Sequence, residues 1–127
     1  MPYPLAGQLA TAANVSPTAW AAMTLINSWS NTGAGYPTAQ YRYWPLTNEL
    51  EVIGTVTHAS ISGTSQFCQT FTQYLPASTI PAPCNEVVLT GQPPVQLLYT
   101  SAGVLEFVVL PAGSTRVFFH HCFPLDA

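Results

Sequence analysis

Residues 35–59 read GYPTAQYRYWPLTNELEVIGTVTHA and hold two strands with the turn between them. Residues 40–44 are rich in aromatics, which favour extended backbone. Pro45 stops that strand, and residues 45–48 supply the turn. Residues 49–58 then alternate, with Leu50, Val52 and Val56 on one side and Glu49, Glu51, Thr55 and Thr57 on the other. A period of two with one apolar side is a strand with one buried face. Ile53 is the exception on the polar side. Gly54 marks either a bulge or a close approach of another backbone. By the same alternation Tyr41 and Tyr43 share one face, and Arg42 and Trp44 the other.

On the N-terminal side, residues 1–24 are Ala-rich and carry no charge. They read as an arm suited to docking on a neighbouring subunit. Ser16 and Pro17 fit an N-cap and a first helical position, so residues 17–23 are expected to form one or two helical turns. Residues 25–30 read as a strand with Leu25, Asn27 and Trp29 on one face. Residues 31–35 form a turn-rich loop.

On the C-terminal side, residues 60–65 read as a polar loop. Residues 66–74 read as a strand anchored by Phe67, Cys68, Phe71 and Tyr74. Residues 75–83 hold three prolines and are expected to be an irregular crossover. Residues 84–90 form a strand and residues 91–94 a turn. Residues 95–100 and 104–110 make a hairpin with Gly103 in its loop. Residues 111–114 turn into a last strand, 115–123. About eight short strands separated by Gly and Pro turns define an all-β fold. The expected architecture is an antiparallel β-sandwich, jelly-roll-like, with residues 1–24 as arm and 25–127 as a single sandwich domain.

Composition narrows the function. Only 6% of the 127 residues are charged, against about 25% in ordinary soluble domains, and both basic residues are arginines. So sparse a charge implies a surface largely covered by other subunits. With a net charge of −3 there is no basic patch for nucleic acid. Prolines and polar residues interrupt every apolar run before it reaches membrane-spanning length. The N-terminus has no basic region of the kind a secretory signal carries.

No catalytic residue, metal ligand set or cofactor is expected. Cys68, Cys84 and Cys122 lack metal-binding spacing and read as buried thiols, a Cys68–Cys84 bridge being the lesser alternative. His120 and His121 are adjacent on a strand and point to opposite faces. Glu49 and Glu51 have the spacing of a glycosidase carboxylate pair, but read as a solvated strand face. Arg42 is placed to pair with Glu51 across the hairpin, or with a carboxylate in a neighbour. Tyr36, Tyr41, Arg42, Tyr43 and Trp44 are candidates for sugar stacking or a subunit interface. Phe118, Phe119, His120 and His121 join them, because the closing strand has bulky residues on both faces.

Trp29, a short loop, the run YPTAQYRYWPLTNELEVIGTV at 36–56 and YLPASTIPAP at 74–83 together form a recognisable pattern. It resembles a small domain of bacteriophage tail fibres, receptor-binding proteins and baseplate-associated proteins. That family often has Gly then Arg-Pro where Ser78, Thr79 and Ile80 here precede Pro81. The resemblance implies a trimeric virion protein, assembled in the host cytoplasm and engaged in host-surface attachment. Partners would be other virion proteins, gripped through the arm, and a host-surface glycan. A capsid-decorating protein and a glycan-binding β-sandwich module are the alternatives.

Overall fold

Two long strands run the length of the molecule: β4, Glu49–Gln66, of 18 residues, and β8, Leu105–Pro124, of 20. The computed structural model describes residues 16–84, 86–87 and 95–126, and for 60–62, 86–87 and 109–115 the backbone alone. The other strands are β1 (Ala21–Ala22), β2 (Ser30–Asn31), β3 (Gln40–Trp44), β5 (Ile80–Pro83), β6 (Glu86–Val87) and β7 (Gln96–Tyr99). All pairings are antiparallel, and no helix occurs among the described residues.

β4 and β8 pair from Glu49↔Pro124 to Gln66↔Glu106. At one end of this ribbon β3 and then β2 join the free edge of β4, β1 extends β3, and β6 joins β8. At the other end β7 joins β8, and β5 closes the edge. Two antiparallel layers result, five and four strands across, sharing β4 and β8, with β2 and β3 end to end along the same edge of β4. The chain is therefore the expected all-β sandwich. Register shifts between His58 and Ser65 let the ribbon turn from one layer into the other.

The inner faces meet on aromatic rings. Phe107 from one half of β8 lies 6.0 Å from Phe119 in the other half, and Tyr99 lies 5.3 Å from Phe123. Phe67 stacks on Phe107 at 4.2 Å and tilts against Phe119 at 5.3 Å. Leu50, Val52 and Val56, the apolar face read from alternation, are fully buried here. Trp29 is buried as well, and its indole N–H donates to Ser65 Oγ at 2.9 Å.

Several local expectations are corrected. Residues 17–23 are not helical. The Thr18 amide donates to the Tyr43 carbonyl at 2.8 Å, the Met23 amide donates to that of Ala39 at 3.0 Å, and β1 lies along β3. Pairing with an open sheet edge outweighs the weak helical signal of an N-cap and a proline. The strand at 25–30 reduces to β2, because Asn27 and Ser28 take positive φ of 57° and 66°. Residues 60–65 are not a loop: β4 continues through them, with Gly63 at φ 75° inside the irregular register. The turn at 111–114 is likewise absorbed into β8. Pro111 falls in the three-residue step from Leu110 to Gly113, opposite the two-residue step Ile61–Gly63, where a bulge needs no ladder donor.

Residues 67–74 do not form a strand beyond a bridge between Leu25 and Cys68. Phe67, Phe71 and Tyr74 instead act as plugs on an irregular backbone. Pro81 and Pro83, expected in irregular chain, lie in β5, an edge strand that tolerates a missing donor. The hairpin between β7 and β8 is as read, with Gly103 at φ 88°. Of the strand expected at 84–90, Cys84 lies outside any strand, β6 at Glu86–Val87 is strand, and the rest falls outside the described residues. The turn at 91–94 and arm residues 1–15 lie outside the described residues.

Gly54 is the close approach its position suggested. A Cβ there would stand 2.7 Å from the Ala39 Cα and 3.0 Å from the Phe119 ring. The first clash is with backbone, which cannot rotate away. Gly54→Ala is therefore expected to lower stability by about 1–3 kcal/mol, read as a lower urea midpoint with the denaturant slope unchanged.

Candidate binding site on the outer face

The outward side of the larger layer carries the site. Register sets Arg42, Glu51 and Cys122 in one row across β3, β4 and β8, and Gln40, Ile53 and His120 in the next. Side chains of one row, and those one step diagonal to it, are within reach of each other. Arg42 Nε donates to Glu51 Oε1 at 2.7 Å, and Trp44 Nε1 donates to the same oxygen at 2.8 Å. His120 Nε2 lies 2.6 Å from the other oxygen, Oε2, from the diagonal position. The pairing of Arg42 with Glu51 is the one read from the hairpin.

The Glu51 side chain keeps only 8% of its exposure although it points outward, so the solvated-face reading of this residue does not hold. Trp44 and Arg42 cover it, and Trp20 covers Arg42. The guanidinium carbon is 4.2 Å from the centre of the Trp20 ring and 4.9 Å from that of Trp44. Both contacts are at cation–π distance. β1 brings Trp20 here, since Ala21 and Ala22 pair with Tyr41 and Gln40.

Desolvation by burial pushes the Glu51 carboxyl upward. The hydrogen bonds from His120, Trp44 and Arg42, with the Arg42 charge, outweigh it and hold the group at about 2. Such a carboxylate stays ionised and is no proton donor near neutral pH. Glu49 on the same strand accepts instead from Thr47 Oγ1 at 2.8 Å. The thiols are free. Burial pushes Cys68 and Cys84 up to about 12, so neither is a thiolate nucleophile. Cys122 is raised by burial first, then by Glu51 and Glu49.

The other candidates are dispersed. Tyr41 and Tyr43 face the core side: Tyr41 meets Phe71 at 4.8 Å, and Tyr43 stacks on Tyr74 at 4.5 Å. Phe119 is fully buried in the core, while Phe118 is half-buried on the outer face. His121 points inward, its ring 4.8 Å from Phe123, and burial lowers its pKa. Tyr36 stands exposed on the loop after β2, with Arg116 over its ring at 4.6 Å. His58 Nε2 lies 3.0 Å from the Asn27 carbonyl. No group of three His, Cys, Asp or Glu placed to hold a metal ion occurs among the described residues.

Sequence reasoning missed Trp20, assigned to a helical turn, and the role of Glu51 as shared acceptor. The cross-hairpin Arg42–Glu51 pair was the only available signal, because Trp20 and His120 arrive through non-local pairing. No family model, curated protein or solved structure matches this chain.

The sign of the Glu51 linkage is fixed by its lowered pKa. Its stabilisation is present above pH 4.5 and is lost as pH falls towards about 2. The full effect is about 3 kcal/mol. Glu51→Gln should flatten the dependence of unfolding free energy on pH across that window, measured by urea titration at several pH values.

Proposed function

We propose that this chain is a structural subunit of a bacteriophage virion, of the tail fibre or tail tip type, working as a homotrimer in host-surface attachment. The observation that carries the reading is the disposition of its few charges. Of two arginines and five carboxylates, Arg42 and Glu51 are spent on each other within one protomer. On the outer face that remains, Phe118 and Ile53 are half-buried among uncharged polar neighbours such as Gln40, Thr55 and Thr57. Outward-facing Ile53 and Phe118 in so sparsely charged a chain suit a subunit interface. The run that resembles tail proteins, 36–56, supplies β3, the turn and the first part of β4, including Ile53.

In this reading the protein acts by binding, and assembly takes place in the host cytoplasm. The interface lies towards the β8 and β6 side, where Phe118 pairs in register with Thr55 and Glu86. Arg42 on β3 lies two strand spacings from Phe118 on β8, roughly 10 Å across the strands, with Trp20 beyond it beside β1. In this reading the interface extends from Phe118 away from β3, which leaves the β3–β1 edge for an external ligand. Residues 16–24 lie on their own domain, which leaves residues 1–15 as the part of the arm for gripping another virion protein.

Sedimentation at micromolar concentration is expected to show a trimer. Phe118→Asp should release monomers or cause aggregation, since burying an unpaired charge costs several kcal/mol. A wild-type protein that stays monomeric and soluble as concentration rises would overturn the trimer. The location of the chain in a virion density map tests the attachment role.

A further inference from the structure

Arg42 is oriented by its neighbours yet incompletely used. Nε is committed to Glu51 Oε1 at 2.7 Å, which sets the direction of the guanidinium plane. The Trp20 and Trp44 rings lie against it. Its two terminal amino groups make no hydrogen bond among the described residues, while a quarter of the side chain remains exposed to solvent. Buried and half-buried arginines ordinarily use this terminal edge, because its N–H groups are strong donors.

We infer that the terminal edge of Arg42, with the exposed ring of Trp20, forms a binding site for a carboxylated sugar. The inference rests on the host-attachment reading and names the chemistry of the ligand. The fork of an arginine matches a planar carboxylate through two parallel hydrogen bonds. Trp20 keeps 37% of its surface exposed beside it, an apolar plate for the C–H face of a sugar ring. Charge selects a singly charged group. The chain has no lysine, and Glu51 already offsets part of the Arg42 charge. A doubly charged phosphate would meet one half-neutralised cation here, whereas a uronic or sialic acid carries the single charge that the site can match. The pre-set guanidinium loses little freedom on binding, which favours a shallow site of this kind.

Calorimetry on the full chain tests this with four probes. Two are acidic: a hexasaccharide alternating glucuronic acid and N-acetylglucosamine, and 3′-sialyllactose. Two are neutral: the carboxyl-reduced hexasaccharide, and lactose. At least one acidic sugar should bind about tenfold more tightly than its neutral counterpart, as loss of a charge-assisted bidentate pair requires. Trp20→Ala and Arg42→Lys, each checked for an unchanged circular dichroism spectrum, should weaken that binding by about fivefold or more. Equal binding of acidic and neutral forms, no binding of either acidic sugar, or full binding by folded Trp20→Ala protein would each overturn the inference. A trimer located in a virion that binds neither acidic sugar leaves the proposed function standing and removes the ligand. A monomer that binds acidic sugar and is absent from virions does the reverse.

Discussion

The antiparallel pairing of β4 with β8 is the constraint on which the rest depends. Each of the other strands joins this ribbon directly or through one intermediary. The ribbon is also what makes two layers from one hydrogen-bonded sheet. Register shifts near its middle bend it, and the bend brings Phe107 against Phe119 within a single strand. Contacts between residues so far apart in sequence carry a high closure entropy, so the core and the ribbon form together or not at all.

The second organising feature is one carboxylate. Glu51 points away from the core yet is nearly inaccessible, a costly placement for an isolated charge. Three donors on β3 and β8 offset that cost: Arg42, Trp44 and His120. The same bonds tie β4 to both of its neighbours on the outer side, as the aromatic core ties them on the inner side. In a chain with so few charges, this cluster concentrates polar specificity at one place. It also sets the direction of Arg42, and so links the stability of the central hairpin to the part of the outer face proposed to receive an anion.

Alternation alone determined the β3–β4 hairpin, its buried apolar face and the opposite facing of Tyr41 and Arg42, because the strand period of two is a local property of backbone geometry. Gly54 announced a close contact for the same reason: absence of a side chain is visible without knowing what approaches. Cross-hairpin register then sufficed to pair Arg42 with Glu51. Tertiary structure alone decided the matters that sequence read wrongly. Residues 60–65 and 111–114 have loop composition, yet they remain strand because the β4–β8 ladder runs on through them, Ile61 pairing with Gly113 and Gly63 with Leu110, and bulges absorb the mismatch. Pro81 and Pro83 are in a strand because β5 is the edge strand among the described residues, where a missing donor is tolerated. Trp20 reaches Arg42 only because β1 lies along β3, and His120 reaches Glu51 only because β8 lies along β4. Local patterns fix which way a side chain faces along its own strand. Which strand lies beside it is settled by long-range pairing, and the site on the outer face is made of such neighbours.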